Sequence, residues 1–374
     1  MEKVRKKEET YWEGMKNKGY SRRDFLRFVT YMTAFMGLES SMVGQVVKAM
    51  ETKKRIPVIW DHFQECTGCS ESFIRANHPL VAHMILDSIS LDYTDTLMAA
   101  SGFQAEEAKH QSMKENYGKY VLIVEGAVPT KEGGVYCTIA GRSAYEILKE
   151  DAAGAAAILT FGSCSSWGGI QAASPNPTGA VPVSKIIKDK PIIKVPGCPP
   201  IPEVMAGVVM HYVTFGTLPA LDSMGRPKQF YSKRVHDSCY RRAYYDAGLF
   251  AESFDSEEAR AGHCLYKLGC RGPLTYNACG FLEWNNGLSY PIKSGNPCIG
   301  CSDNHFWDND PFTKRVEDIP GLGIEATANT VGKIVLGAAV GGTVVHAVAA
   351  NFARKKNLRT MSKKGKEIEK DIKE

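Results

Sequence analysis

Short apolar runs rich in β-branched residues recur through the first half of the chain. They are "IPVIW" at 56–60, "YVLIVEGAV" at 120–128, "AAAILTFG" at 155–162 and "PIIKV" at 191–195. Between them lie longer stretches in which apolar residues return at helical spacing, such as "SFIRANHPLVAHMILDSI" at 72–89. Near-continuous apolar strands alternating with helices predict a parallel sheet covered on both faces, since a strand buried on both sides has no polar face to alternate with. The pattern predicts a doubly wound α/β domain over about 56–230. From 231 to 330 the periodic runs thin out, and Gly, Pro, Asn and Asp become frequent. Little regular structure is expected there, and such a segment depends on cofactors for its stability.

Two apolar stretches fall outside this scheme. Phe28 to Leu38 follows "SRRDFLRF", which places Arg22 and Arg23 just ahead of it. A basic pair before a short apolar run reads as a twin-arginine export signal, with cleavage expected near Met50. The plainer alternative is a basic amphipathic helix on the surface. Ile334 to Ala353 carries no formal charge and is bracketed by Lys333 and "RKK" at 354–356. Twenty residues at helical rise match the hydrocarbon core of a bilayer, which predicts one membrane anchor. The basic residues beyond it predict a cytoplasmic C-terminus and a body on the far side. Gly337 and Gly341 form a small ridge on which another helix could pack closely.

Charge follows the same division. Residues 1–55 hold 13 Lys and Arg against 7 Asp and Glu, and residues 353–374 hold 9 against 4. The total of +5 therefore leaves the body at −6. A mildly acidic body excludes a nucleic-acid binder, which needs clustered Lys and Arg on its folded surface.

The 11 cysteines change the picture most. In an exported protein they would ordinarily form disulfides, with one thiol left over. The twin-arginine route carries folded proteins, so a metal cofactor could occupy them first, and spacing has to decide. Three predicted strands end in cysteine: "IPVIW" leads to "ECTGCSES" with Cys66 and Cys69, "AAILTFG" to "SCSSWGG" with Cys164, and "IIKV" to "PGCPP" with Cys198. Loops beyond the carboxyl ends of parallel strands meet in one crevice, so these four thiols can converge. Zinc would accept four sulfurs, but a structural zinc usually staples a small region through two local pairs. An iron–sulfur cluster accounts better for the set.

Farther along, "HDSC" places His236 three residues before Cys239, and Cys264 and Cys270 follow. Cys279, Cys298 and Cys301 remain as a group of three. Two sets of four and one of three fit two cubane clusters and a three-iron cluster, whereas zinc has little use for three sulfurs alone. His236 reads as a cluster ligand where electrons leave, a neutral imidazole making the site less negative than four thiolates. Its bland reading is an ordinary surface or core histidine. Cys137 is left out and reads as a small buried hydrophobe.

With these motifs in hand, the chain resembles the small subunit of membrane-bound uptake [NiFe]-hydrogenases. The resemblance runs from "SRRDFL" through "ECTGCSES", "GSCSSWGG", "NPTGAVPV", "PGCPP", "HDSC", "CLYKLGCRGP" and "NPCIGC" to the membrane anchor. It implies a proximal [4Fe-4S] cluster on Cys66, Cys69, Cys164 and Cys198. It further implies a medial [3Fe-4S] cluster on Cys279, Cys298 and Cys301, and a distal [4Fe-4S] cluster on His236, Cys239, Cys264 and Cys270. Dihydrogen would be split at a nickel–iron centre in a separate large subunit, and electrons would pass through this chain to a di-haem cytochrome b and the quinone pool. No catalytic residue is expected in this chain. Oxygen-tolerant relatives carry extra cysteines at positions that are Gly68 and Gly169 in this chain, which implies an ordinary cubane and inhibition by oxygen. Asp95 in "DYTDT" stands where the family has glutamate, and Pro291 where a fourth ligand would stand. Glu65 and Glu71 flank the first cysteine pair, and His346 lies inside the apolar segment.

The expected organisation is a twin-arginine leader over 1–50 and a flavodoxin-like, doubly wound parallel α/β sheet over 51–230. An irregular two-cluster domain over 231–330, a transmembrane helix over 331–353 and a basic cytoplasmic tail over 354–374 would follow. Two other readings compete. A cluster-bearing subunit of a quinone oxidoreductase would share the first domain and lack the "HDSC" to "NPCIGC" region. A secreted disulfide-rich binding module would be colourless and cross-linked.

Overall fold

The computed structural model describes residues 10–36, 38–76, 89–308 and 328–371. The predicted helical stretch at 72–89 lies outside them between 77 and 88. Its first residues close a short helix, α4 (Gly68–Ile74). Preceding it are three N-terminal helices, α1 (Tyr11–Asn17), α2 (Arg22–Phe35) and α3 (Val43–Thr52). The longer helices that follow are α5 (Gly102–Glu115), α6 (Ala144–Ala153), α7 (Gly162–Trp167), α8 (Pro202–Phe215) and α9 (Ala328–Asp371).

Five parallel strands form the main sheet: β1 (Ile56–His62), β2 (Ile89–Thr94), β3 (Val121–Glu125), β6 (Ala157–Phe161) and β7 (Ile192–Val195). They lie in the order β2-β1-β3-β6-β7, and β4 (Thr138–Ile139) and β5 (Arg142–Ser143) make a small antiparallel pair elsewhere. Leaving that pair aside, the order is the flavodoxin one, with the strand sequence reversing between β1 and β3. Side chains alternate across the sheet as the pleat requires. Val58, Trp60, Val121, Ile123, Leu159 and Phe161 join one core with α8 and the N-terminal helices. Ile59, Leu122, Val124 and Ile158 join a second core with residues of α5 and α6.

Local chemistry sets the helix ends. Ser143 and Glu146 form a capping box at the start of α6, and Pro202 opens α8 where its missing N–H costs nothing. Gly216, left-handed at φ 69°, closes α8. In the second core Lys109 is enclosed by Asp61 at 3.6 Å, Asp151 at 3.1 Å and Glu106 at 3.3 Å.

Beyond α8 the chain to 308 is built from turns and helices of three to five residues. Its small core gathers Val235, Leu265, Leu268, Tyr290 and Ile292 around cysteines. It docks on the sheet domain through Ser163, whose hydroxyl donates to the Cys301 carbonyl, and through Trp167, whose indole N–H donates to the Ser302 carbonyl at 3.1 Å.

Two expected boundaries fall inside helices. The leader expected over 1–50 ends inside α3, and its helices pack into the first core. The C-terminal helix does not stop at 353 but continues through the basic tail to Asp371. Among the described residues one helical stretch, Gly332–Lys363, is long and apolar enough to cross a membrane, and none of it is buried.

Candidate metal centres

All the first-set cysteines lie beyond the carboxyl edge of the sheet. Cys69 sits in the first turn of α4, Cys164 in the first turn of α7, and Cys198 in the loop after β7. The chain turns straight from β6 into α7 at Gly162. This residue is left-handed at φ 89°, and a Cβ on it would stand 2.5 Å from the Cys69 sulfur. Only glycine allows those two loops to close on each other. Ser163 ties the third loop in: its N–H donates to the Gly197 carbonyl at 2.8 Å, and its hydroxyl accepts from the Gly197 N–H at 3.0 Å.

Burial pushes the Cys69 thiol well above its usual range, the Cys164 thiol up to about 12 and the Cys198 thiol up to about 11. The nearby Cys66 adds to each rise, although Cys66 itself is exposed. Free of metal, Cys69, Cys164 and Cys198 stay protonated. A cationic iron core would reverse that by compensating their buried thiolates. All eleven cysteines are free thiols, which removes the disulfide-rich reading.

Cys279, Cys298 and Cys301 line a cavity of about 180 Å³ together with Tyr290, Pro291, Ile292 and Ile299. Pro291 brings no donor to that space, so the site offers three sulfurs. Burial raises all three thiols. The last set, His236, Cys239, Cys264 and Cys270, lines a separate cavity with Leu265 and Tyr266. Burial lowers the imidazole pKa of His236, favouring the neutral form that can donate a lone pair to a metal. The Tyr245 ring meets His236 edge-on at 4.6 Å. Sulfurs also accept hydrogen bonds, as metal-bound thiolates do: the Tyr290 hydroxyl donates to Cys239, the Cys298 N–H to Cys270 and the Gly300 N–H to Cys298, each at 3.4 Å.

The three sets are consecutive in space. Cys198 and Cys301 line one cavity, and the Cys298 N–H reaches the Cys270 sulfur at 3.4 Å. His236, Cys239, Cys264 and Cys270 line one cavity and Cys279, Cys298 and Cys301 another, while a third cavity is lined by Cys198 together with Cys279 and Cys301. Cys137 belongs to none, packing half-buried against the second core. Glu71 is paired with Arg75 at 2.7 Å on the surface, and Asp95 is exposed in the turn after β2. His346 lies on the exposed α9.

Spacing does not reveal Glu125 or His62. The Glu125 carboxylate ends β3 and accepts from the N–H of Cys69 at 2.9 Å, the N–H of Ser70 at 3.1 Å and the Ser70 hydroxyl at 2.6 Å. It thereby fixes the first turn of α4, where acidic groups are favoured. His62 stands 3.6 Å from Glu125 and 3.7 Å from Glu65. A carboxylate at the carboxyl end of a predicted central strand is the one available signal, because that edge is where loops converge.

A flavodoxin-like domain whose strand-end loops gather thiols, followed by an irregular domain with two more sulfur-lined sites, defines a cofactor-bearing electron-transfer subunit. Two family models match it. Residues 231–313 match the C-terminal region of the NiFe/NiFeSe hydrogenase small subunit, and residues 66–212 match the 20 Kd subunit of NADH ubiquinone oxidoreductase. The chain is 53% identical over 343 residues to the Hydrogenase-1 small chain of Citrobacter freundii, covering 92% of both. It is 50% identical to the uptake hydrogenase small subunit of Azotobacter vinelandii, covering 93% of this chain and 98% of that one. Among solved structures, a chain of the reduced Ni-Fe-Se hydrogenase from Desulfomicrobium baculatum superposes with a TM-score of 0.67 at 35% identity, over 70% of this chain and all of that one. The chain belongs to the hydrogenase small-subunit family. It serves electron transfer in a [NiFe]-hydrogenase, a family that carries iron–sulfur clusters, and the catalytic site lies in the large subunit.

Proposed function

We propose that this chain conducts electrons from the large subunit's nickel–iron site to the membrane through three iron–sulfur clusters. Cys66, Cys69, Cys164 and Cys198 would hold a proximal [4Fe-4S] cluster, and Cys279, Cys298 and Cys301 a medial [3Fe-4S] cluster. His236, Cys239, Cys264 and Cys270 would hold a distal [4Fe-4S] cluster. When bound, the clusters supply one-electron carriers. The chain's own residues fix their order and surroundings. Cys198 and Cys301 line one cavity, and the Cys298 N–H donates to the Cys270 sulfur; this continuity from site to site carries the reading. Pro291 withholds a fourth donor from the middle site. His236, half-buried, belongs to the set at the far end of the run from Cys66.

The exposed apolar α9 supports anchoring in a membrane, with the body on the periplasmic side and the basic tail in the cytoplasm. There the natural acceptor is a di-haem cytochrome b feeding the quinone pool, and the paired arginines Arg22 and Arg23 support delivery by the twin-arginine machinery. Gly68 and Gly169 support an ordinary proximal cubane and an enzyme inhibited by oxygen. A Cβ at Gly169, which is left-handed at φ 67°, would stand 2.5 Å from the Cys164 sulfur. The quinone-oxidoreductase alternative accounts for 66–212 but leaves the match over 231–313 unexplained.

Iron and acid-labile sulfide analysis of the purified heterodimer, with electron paramagnetic resonance of the oxidised sample, tests the assignment. Two cubanes and one three-iron cluster require about 11 iron and about 12 sulfide in the small subunit, hence about 12 iron per heterodimer once the iron of the nickel–iron site is added, and a three-iron signal. About 13 iron per heterodimer with no such signal would overturn the medial assignment, and a colourless, sulfide-free protein would overturn all three.

A further inference from the structure

Helix α9 changes character at Ala353. The uncharged stretch Ile334 to Ala353 gives way to seven Lys and Arg between 354 and 366 with no Asp or Glu among them, and the first acid beyond is Glu367. The helix runs through this junction without a break. Arg354, Lys355, Lys356, Arg359 and Lys363 are all exposed. The helix cannot neutralise these charges itself. On a helix a carboxylate reaches a cation three or four positions away, and no acid stands at that spacing from Arg354, Lys355, Lys356 or Arg359. Like charges stand there instead: Lys355 with Arg359 and Arg359 with Lys363 four apart, and Lys356 with Arg359 three apart. Such pairs oppose helix formation, so an unbroken helix here favours anions supplied from outside the chain.

Position names the source of those anions. With Ala353 at the edge of the hydrocarbon, the helical rise puts Lys356 about 4.5 Å and Arg359 about 9 Å farther out. The headgroup layer is roughly 5–7 Å deep on each side of a bilayer. Long basic side chains lean back toward it from the next turn, so all four cations from 354 to 359 come within reach of lipid phosphates.

We propose that Arg354, Lys355, Lys356 and Arg359 form a docking site for anionic phospholipid headgroups in the leaflet that faces the tail. The proposal rests on the reading of Ile334 to Ala353 as a membrane-spanning stretch. Lys and Arg donate charge-assisted hydrogen bonds to phosphate oxygens. A headgroup with net negative charge answers an uncompensated run of cations, whereas a zwitterionic one brings an ammonium of its own. Cations held at one end of an apolar stretch that matches the hydrocarbon thickness also fix the depth at which α9 sits.

The test uses the full-length chain with its large subunit, placed in nanodiscs of equal parts phosphatidylcholine and phosphatidylglycerol and released again in mild detergent. Mass spectrometry then counts the lipid that stays with the complex. Retained phosphatidylglycerol is expected to exceed phosphatidylcholine at least about fivefold, the gain from one such charge at the membrane surface. Arg354→Gln, Lys355→Gln, Lys356→Gln and Arg359→Gln together are expected to abolish the preference and leave dye-linked dihydrogen oxidation unchanged. A wild-type complex that enters the discs and retains the two lipids equally would overturn the lipid site and leave the anchor standing. A preference that survives the four substitutions would overturn it too. A wild-type complex that enters no disc would overturn the membrane-spanning reading, and the lipid site with it. Should the fourfold variant fail to enter the discs, Lys355→Gln with Lys356→Gln takes its place. It is expected to weaken the preference several-fold, and an unchanged preference would overturn the proposal.

Discussion

Lys109 is almost wholly buried, and burial alone would depress its pKa, yet Asp61, Asp151 and Glu106 hold it charged and push the value up instead. Its ammonium also lies 4.5 Å from the centre of the Tyr93 ring, and the Tyr93 hydroxyl donates to Glu106 at 2.5 Å. Lys109→Ala would strand two fully buried carboxylates, and denaturant unfolding should show a loss of about 3–5 kcal/mol. Glu125 presents the opposite case, a carboxylate satisfied by backbone donors. Glu125→Ala leaves the N–H groups of Cys69 and Ser70 without their acceptor, at about 1–3 kcal/mol each. Thermal melting should shift down, and the first turn of α4 should loosen, so iron content should fall by about four per chain as the proximal set lets go. Legibility differs by residue type. Cysteines are scarce and their spacings informative, so the chain itself suggests how they group. Glu125, His62 and Lys109 are common residues whose roles come from strands meeting at one edge or one core, which spacing along a single segment does not encode.

At the scale of elements, the four apolar runs become β1, β3, β6 and β7, each running parallel to its neighbour. The edge strand β2 has no such signature, since "ISLDYT" mixes polar with apolar residues, as an edge exposed on one side permits. In the N-terminal helices the arginine pair is the conspicuous feature of the sequence, while the i, i+4, i+7 spacing of Phe25, Val29 and Met32 is what tertiary packing uses. At 44 residues, α9 spans about 66 Å, roughly twice the hydrocarbon thickness, so its charged second half must stand clear of the hydrocarbon. Ending the chain at residue 332 should yield a soluble heterodimer that still passes electrons from dihydrogen to an artificial dye but no longer to membrane quinone. Fractionation and the two activity assays check this directly.

For the molecule as a whole, stability is divided unevenly. The sheet domain owns two large apolar cores. The segment from 231 to 308 owns a small one in which cysteines take the place of hydrophobic bulk. Removing iron with a chelator under reducing conditions should therefore melt 231–308 while the sheet persists. Hydrogen exchange would show protection lost in that segment and kept in β1, β3 and β6.

The proposed conducting path crosses from sheet to irregular segment at Cys198 and Cys301. The most direct measurement follows the three-iron resonance of the oxidised heterodimer as dihydrogen is admitted, in the wild type and in Cys198→Ala. The signal is expected to vanish rapidly in the wild type and to persist in the variant, whose first carrier is broken. A resonance that disappears equally fast in both would show that electrons reach the middle site by another way, and would contradict a path through the proximal set.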